Sequence, residues 1–411
     1  MLKQKFTDYL LHKYPDLKAE AIPFSDLISE NLLSEYRIQI PKKNLLEIQK
    51  FIQVIFQIRQ SKEYQELAKS KNIFDPKNKA IVMSYDFHFS TENGLKLIEV
   101  NTNAAFLALG CEFYKMQQLP MPVEDFDLAA LKADIQHEWQ LNQQAPFPKD
   151  FRIWIMDENP SEQRLYAEFL VYKNMFQSWG WTCEIKNSKD LAAMPADGEV
   201  LWPHFIYNRD TDFYLQGEHL QNLKAAWKAK SFCLSPQPLE YDLLANKNRL
   251  HLLTDANLLA ALNLPVNDIA LIKKIIPFSQ LINSDNKAVL WEKRKKFFFK
   301  PAQSFGSKQA YRGSSISRNI FESFAENEML AQEFIPAGEV SFASNRKTAP
   351  GEESTMKSNP DSLSSLPEKF KFDLRCYAYQ DRLEMVIARL YQGQVTNLRT
   401  PGGGFALVQV V

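Results

Sequence analysis

Glu99 and Asn101 stand two positions apart at the end of the run KLIEVN, whose apolar residues are typical of a buried β-strand. Strand side chains alternate between two faces, so these two oxygen-bearing groups project from the same face. Asp86 lies in a preceding strand pattern, and the turn signal ENG between the two strands predicts a hairpin. The hairpin brings three hard oxygen ligands together. Such a set suits Mg²⁺ beside substrate phosphates, and we predict that Asp86, Glu99 and Asn101 bind it.

Two lysines have the positive charge that phosphates require. Lys247 lies in LLANKNRLHLL at the start of a predicted helix, and Lys300 ends the apolar strand FFFK. The short turn with Ser304 and Gly306 follows Lys300, and its backbone N–H groups are suited to phosphate oxygens. It lacks the GxxxxGK[ST] spacing of a Walker A loop. A structural role for a lysine with an apolar stem is the alternative at each position, but the combination indicates a nucleotide site.

The elements that must position these residues alternate between helical and strand patterns, which favours α+β or α/β architecture. The amphipathic run LLEIQKFIQVIFQIRQ predicts a mostly helical beginning. A βαβ pattern starts with FRIWIMD, and the end of the chain predicts antiparallel strands with a turn at Gln380 and Asp381. We therefore predict a helical segment 1–75, a metal-binding hairpin with helices 76–150, a parallel-sheet domain 151–235 and an ATP-binding part 236–411. Within the last part, the polar residues 341–370 are predicted to form a mobile loop.

The composition restricts the class of protein. The chain has 411 residues, 45% of them hydrophobic, with 49 basic and 49 acidic residues, so no net field attracts nucleic acid. No run approaches the roughly 18 apolar residues of a membrane span, so no membrane partner is expected. The four cysteines form no CxxC or Cys/His metal spacing, which favours reduced thiols and a cytoplasmic location.

Six segments in order resemble the ATP-grasp superfamily, and specifically its circularly permuted branch, which includes eukaryotic glutathione synthetase and glutathionylspermidine synthetase. They are IEVNTNAAF, FIYNRDTDFY, NK at 246–247, FFFKP, LAQEFIPAGE and the final FDLRCYAY to PGGG. Together they cover most of residues 80–411. The E-x-N segment precedes the two lysines, which is the permuted order. Residues 1–75 have no counterpart in this resemblance.

The resemblance implies an ATP-grasp fold with an antiparallel active-site sheet, an inserted parallel-sheet substrate domain and an N-terminal helical segment. It also implies an ATP- and Mg²⁺-dependent carboxylate–amine ligase that works through an acyl phosphate. Lys247 and Lys300 would hold the nucleotide phosphates. The remaining implied roles are adenine pairing by the backbone of Gln332, Glu333 and Phe334, a ribose contact by Glu339, a phosphoryl contact by Arg389, and substrate carboxylate binding by Arg375 or Arg209. Surface or strand-pairing roles are the alternative for these last two arginines.

The chain also departs from the family pattern. Glutathione synthetase has a glutamate shortly after the second lysine, whereas residues 301–304 here are PAQS and contain no carboxylate. The glycine-rich lid is poorer as well. An ATP-grasp kinase or a degenerate nucleotide-binding interaction protein therefore stays open beside the ligase. The carboxylate and amine substrates, small molecules or peptides, are not specified, and the oligomeric state, for which a homodimer is one option, is open.

Overall fold

Three β-sheets organise the chain. The computed structural model describes residues 2–70, 72–124, 126–195, 202–302, 310–343, 367–394 and 396–411. Within these ranges the largest sheet has seven strands, and each of the other two has four. We call them the central, parallel and small sheets.

The central sheet has the strand order β1-β15-β14-β13-β2-β3, and β12 also pairs with β13. Its strands are β1 (Leu33–Ile40), β2 (Met83–Ser90), β3 (Gly94–Asn101), β12 (Gly338–Phe342), β13 (Glu368–Tyr379), β14 (Arg382–Tyr391) and β15 (Gly404–Val410). All neighbours are antiparallel except β1 and β15, which are parallel. The predicted hairpin is therefore present as β2 and β3, and the predicted turn at Gln380 and Asp381 joins β13 to β14.

Strands occur in two segments where the sequence predicts none. Residues 2–70 are mostly helical, but β1 also lies there and forms an edge of the central sheet. The strands β12 and β13 occupy both ends of the predicted mobile loop 341–370, because they pair with each other from Phe342 and Glu368. The residues between, 344–366, lie outside the described ranges, so the prediction for them is not tested.

The parallel sheet has the order β5-β4-β6-β7, and every neighbouring pair is parallel. Its strands are β4 (Arg152–Asp157), β5 (Thr182–Asn187), β6 (Phe205–Asn208) and β7 (Cys233–Ser235). A βαβ connection joins β4 to β5, as the sequence pattern predicts. Because parallel strands end at the same edge, the residues after β4 and β6 come together there.

The small sheet is antiparallel, with the order β10-β9-β11-β8. Its strands are β8 (Ser279–Leu281), β9 (Phe297–Pro301), β10 (Tyr311–Arg312) and β11 (Met329–Glu333). Lys300 lies on β9 and Gln332 on β11, both in the interior of this sheet. Its apolar side chains form a separate core around Phe299 and Phe321.

Helices cover the sheets. They are α1 (Leu2–Lys13), α2 (Phe24–Leu27), α3 (Lys42–Gln60), α4 (Lys62–Ala68), α5 (Leu107–Met116), α6 (Leu128–Gln143), α7 (Tyr166–Ser178), α8 (Gln221–Lys228), α9 (Pro238–Glu240), α10 (Asn248–Leu252), α11 (Ala256–Ala261), α12 (Val266–Ile275), α13 (Lys287–Glu292) and α14 (Arg318–Glu322). Short 3₁₀ helices span Pro15–Ala19, Pro160–Glu162, Ser188–Ala193, Glu218–Leu220 and Arg294–Lys296, and a π-helical turn spans Tyr241–Ala245. None of the described helices combines the length and apolar character that crossing a bilayer requires.

The central sheet is packed on both faces. Phe51 of α3 contacts Tyr85 and Phe87, whose side chains share one face of β2. Helix α5 packs on the opposite face, where a Cβ on Gly110 would come within 2.6 Å of Met385 Cε. Glycine at that position therefore allows the helix to approach the sheet closely.

All four cysteines are buried and unpaired.

Candidate functional site

The three predicted Mg²⁺ ligands share one face of the central sheet. In the register between β2 and β3, Asp86 pairs with Glu99 and Ser84 pairs with Asn101. The register shifts after Asp86, so that Phe87 pairs with Leu97. Such a bulge adds one residue to β3 and changes the direction of nearby side chains. The predicted convergence of the hairpin's polar residues is therefore present.

Asp86 is the centre of a buried ion cluster on this face. It is 1% exposed, and Arg375 donates to it from Nε at 3.0 Å and from Nη2 at 2.7 Å. Arg389 Nη2 donates to the same carboxylate at 2.9 Å, while Ser84 Oγ and Asn101 Nδ2 donate at 3.1 and 3.2 Å. Burial alone would raise the pKa of Asp86, but the two guanidinium charges outweigh burial and lower this pKa to about 2.

This arrangement is at odds with the predicted Mg²⁺ role of Asp86. Both of its oxygens accept hydrogen bonds from arginine, and the two guanidinium groups would repel a nearby cation. Within the described ranges, no group of three or more His, Cys, Asp or Glu side chains could hold a metal ion. Glu99 and Asn101 offer two oxygen ligands on one face. That number suits a Mg²⁺ ion that keeps several waters and also binds phosphates.

Arg375 and Arg389 each have one terminal nitrogen, Nη1, that the ion cluster does not use. Arg389 Nε donates to Asp373 at 2.6 Å, and Thr396 Oγ1 donates to the other oxygen of Asp373 at 2.5 Å. These bonds and those to Asp86 use Nε and Nη2 of both arginines, and Nη1 of each makes no hydrogen bond to the part of the chain that the structure describes. The predicted phosphoryl contact of Arg389 and carboxylate contact of Arg375 therefore depend on Nη1.

Lys300 joins the small sheet to β3, the strand that carries Glu99 and Asn101. Its Nζ donates to the carbonyl of Ile98 at 2.9 Å and to Oε1 of Gln332 at 2.8 Å. Burial lowers the pKa of Lys300 to about 7, the Glu99 carboxylate opposes this shift, and the charge of Lys247 adds to it. The structure thus brings Lys300 into contact with Ile98, the residue next to Glu99. These two residues lie 202 positions apart in the sequence.

Lys247 approaches the same strand from a different segment. Its Nζ lies 4.0 Å from Oε2 of Glu99. Lys247 follows the π-helical turn that contains Asp242, and this buried carboxylate accepts hydrogen bonds from Ser70, Tyr214 and Arg249. A π-helical turn is rare and frequently occurs at functional sites. Asp242 was missed in the sequence, because its partners are scattered along the chain and no local motif marks it.

A cavity of about 250 Å³ opens beside Glu99, Asn101 and Lys247. Asp157 and Arg209 also line it, from the carboxyl ends of β4 and β6 in the parallel sheet. Ligands of parallel sheets commonly bind beyond this edge. The cavity therefore lies between β3 and the parallel sheet, and carboxylate, amide and cationic groups line it.

Arg209 is held in this cavity mainly by backbone groups. It is 8% exposed and donates from Nη1 to the carbonyl oxygens of Asn103 and Ala104, the latter at 2.9 Å. Its buried Nε has no hydrogen-bond partner in the described ranges. The positive charge of a guanidinium that lines a cavity favours an anionic ligand there. The predicted carboxylate role of Arg209 is compatible with this geometry.

Asp157 was missed in the sequence analysis, although a polar residue at the end of the buried strand FRIWIMD was a usable signal. Burial raises its pKa to about 7, although Arg209 and the backbone N–H of Glu158 act in the opposite direction. Its carboxyl group therefore changes charge near neutral pH. It is a candidate for contact with a polar substrate group.

We expect Asp157→Asn to stabilise the protein more at pH 8 than at pH 5. The unfolded chain loses the Asp157 proton near pH 3.9, whereas the folded chain keeps it to about pH 7. Stability therefore falls as pH rises between these values, and asparagine removes that loss. Thermal melts at both pH values test this, with the exposed Asp150→Asn as control. An equal shift in Tm at pH 5 and pH 8 would contradict the assignment.

The predicted adenine-binding backbone is partly occupied. The N–H of Glu333 donates to Phe278 at 2.8 Å, and the N–H of Phe334 donates to Lys296 at 2.8 Å. Adenine pairing through these two donors is therefore at odds with the structure. The predicted ribose contact Glu339 is exposed on β12, opposite Lys371 of the central sheet. Ser304 and Gly306 lie outside the described ranges, and their predicted phosphate contacts are not tested.

Comparison with known proteins identifies solved structures with a similar fold but no related sequence. No protein-family model and no curated protein matches the chain. The chain is similar in structure to a glutathione synthetase-like effector from Globodera pallida in its apo form, with a TM-score of 0.57 and 11% identity over 100% of this chain and 96% of that chain. A Methylobacillus flagellatus protein, provisionally assigned as a gamma-glutamylcysteine synthetase, has a TM-score of 0.44 and 10% identity over 89% and 87%. The first similarity shows a glutathione synthetase-like fold.

Proposed function

We propose that the protein is an ATP-dependent carboxylate–amine ligase of the ATP-grasp type. The observation that carries the proposal is that Lys247 and Lys300 both approach β3 close to Glu99, and that Glu99 and Lys247 line one cavity. Two lysines from separate segments would otherwise have little reason to approach each other beside a single carboxylate, since like charges repel. A polyanion such as a nucleotide triphosphate would neutralise them.

The chemistry assigns a role to each group. A substrate carboxylate attacks the γ-phosphate of ATP, the bond from that phosphorus to the β-γ bridging oxygen breaks, and ADP leaves. An amine then attacks the acyl phosphate, releasing phosphate and a proton and leaving an amide. Such phosphoryl transfer depends on charge neutralisation and alignment, which Lys247 and Lys300 provide. Glu99 and Asn101 would hold Mg²⁺, which supplies further neutralisation of the phosphates.

The cavity beside β3 is the proposed place of the organic substrates. Arg209, which lines this cavity, is the proposed contact to a substrate carboxylate, and Nη1 of Arg389 is the proposed contact to the transferring phosphoryl group. Arg375 is assigned to positioning within the ion cluster or to a second carboxylate contact. The glutathione synthetase-like fold supports this proposal at the level of the fold. A cytoplasmic location, small-molecule or peptide substrates, and the absence of nucleic-acid and membrane partners belong to the same proposal.

Acyl phosphate formation is the property to test. With Mg²⁺-ATP, hydroxylamine and pooled amino acids, thiol peptides and polyamines, we expect ADP and a hydroxamate, because hydroxylamine captures an acyl phosphate. Without hydroxylamine we expect ADP and an amide. Mass spectrometry and coupled ADP detection measure both. ADP with a stable phosphorylated product would instead indicate a kinase, and no ADP with any pool would favour a nucleotide-binding interaction protein.

A further inference from the structure

A second cavity, of about 530 Å³, lies between helix α3, helix α12 and the turn of the β2–β3 hairpin. The cavity beside Glu99 is lined by a different set of residues, so the two are separate. A cavity of this volume is large enough for a small organic molecule. The groups around it indicate which kind of molecule it fits.

Asn44 has an unused polar side chain at this cavity. It lies in the first turn of α3 and is only 7% exposed. Its carboxamide makes no hydrogen bond to the described residues. The oxygen and nitrogen of this carboxamide are nevertheless not fully enclosed by protein, and Asn44 lines the cavity. Because buried polar groups are normally paired, this carboxamide is suited to a ligand in the cavity.

The beginning of α3 adds a backbone donor beside Asn44. The N–H of Lys42 donates to the carbonyl oxygen of Val411 at 2.9 Å. The N–H of Asn44 donates to the carbonyl oxygen of Pro41, also at 2.9 Å. Between them, the N–H of Lys43 has no acceptor within the described part of the chain. A free N–H at the start of this 19-residue helix, together with the helix dipole, favours an anion.

The charged side chains around the cavity also favour an anion. Lys274 of α12 forms an ion pair with Glu47 of α3, and both residues line the cavity. Lys43 lines it as well, and no carboxylate in the described ranges pairs with Lys43. Since the charges of Lys274 and Glu47 cancel, the ammonium group of Lys43 leaves a net positive charge at the cavity.

We propose that this cavity binds a small molecule that carries one carboxylate or phosphate group on an apolar body. Asn44 Nδ2 and the N–H of Lys43 donate to the anionic oxygens, and the Lys43 ammonium group neutralises their charge. Phe89 and Pro41 also line the cavity and provide apolar surface for the rest of the molecule. This site is independent of the proposed binding of ATP, because its residues are separate from Lys247, Lys300 and Glu99.

Calorimetry with four small probes tests the required chemistry. Phenyl phosphate and benzoate each combine an anion with an aromatic ring, and the tighter of the two shows whether the site prefers phosphate or carboxylate. Inorganic phosphate lacks the apolar body and benzyl alcohol lacks the charge, so both should bind more weakly. If neither phenyl phosphate nor benzoate binds, or if benzyl alcohol binds as tightly as they do, the proposal is wrong.

Variants assign the binding to this cavity. Asn44→Leu and Lys43→Met each remove one contact to the anion, and each should weaken binding of the tighter probe about tenfold or more. Gln49→Leu, on α3 but outside the cavity lining, is the matched control and should keep the wild-type affinity. Lys300→Met should keep it too. Loss of binding in Lys300→Met with retention in Asn44→Leu would place the probe at the proposed nucleotide site and overturn the proposal.

Thermal melts of Asn44→Leu separate a ligand contact from a structural role. Leucine is similar in size and has no amide to leave without a partner, so the Tm of the ligand-free protein should stay the same or rise. The increase in Tm that the tighter probe causes in the wild type should be reduced in this variant. A lower Tm without ligand, or an undiminished increase with it, would show that Asn44 is structural. Lys43→Met, at an exposed position, then still tests the anion contact.

Discussion

Replacing Asp86 with asparagine should destabilise the protein by about 3–5 kcal/mol, the cost of removing one partner from a buried ion pair. The change removes the ion pair of Arg375 with Asp86 and leaves Arg389 paired with Asp373. Asparagine cannot accept the bidentate pair of bonds from Arg375, because one of its two terminal groups is a donor. Urea unfolding at pH 7 measures the loss directly.

The stabilisation that the Asp86 ion pairs provide should be lost at low pH. The pKa of Asp86 is about 3.9 in the unfolded chain and about 2 in the folded protein. The stabilisation is therefore fully present above about pH 4 and is lost as pH falls towards 2. Asp86→Asn should lack this part of the acid dependence.

Glu99→Gln is the control on the same sheet face. Glu99 has a side chain that is 33% exposed, and its ion pair with Lys247 is long at 4.0 Å. Pairs of this kind contribute about 0–1 kcal/mol, so the change should affect stability little while it abolishes turnover if Glu99 holds Mg²⁺. Repulsion between the carboxylates of Asp86 and Glu99, if it outweighed the two arginine contacts, would have the reverse effect and make Asp86→Asn more stable. Unchanged or raised stability of Asp86→Asn would therefore contradict the ion-cluster interpretation.

Local patterns explain why part of this site was predictable from the sequence. Glu99 and Asn101 share a face because strand side chains repeat with period two, and the turn signal fixes the hairpin that brings Asp86 beside them. The parallel sheet follows from the βαβ pattern in the same way. In each case the interacting residues are close in sequence, so a short window contains the relevant information.

Long-range pairing explains the failures. Arg375 and Arg389 lie 289 and 303 positions from Asp86, and nothing near Asp86 indicates that they neutralise it. Strand β1 pairs with the residues from Phe405 to Val410, which lie far from it in the sequence. The half-polar sequence of β1 does not indicate this partner. The hydrogen bond from Lys300 Nζ to Gln332 Oε1, and the burial of Gln332 Nε2 without a partner among the described residues, also depend on how the strands pack. No local sequence pattern indicates them.

Lys300→Met should weaken Mg²⁺-ATP binding about 10- to 150-fold. This corresponds to about 1.5–3 kcal/mol, the range for a hydrogen bond to a charged group. Methionine preserves the apolar stem that packs in the small sheet but removes the ammonium group. Calorimetry on the folded variant measures the loss, and Lys295→Met, in the exposed basic run just before β9, is the matched control. Equal affinity of wild type and Lys300→Met would exclude Lys300 from the phosphate site.

The pH dependence of ATP binding should identify Lys300 independently. Its pKa is about 7 in the free protein, so the ammonium form is abundant at pH 6 and scarce at pH 8. Phosphates bind the charged form, and wild-type affinity should therefore fall as pH rises above 7, by up to about tenfold per pH unit. ATP itself also titrates in this range, but it does so equally with both proteins. The ratio of wild-type to Lys300→Met affinity should accordingly decrease from pH 6 to pH 8, and a ratio independent of pH would show that another group binds the phosphates.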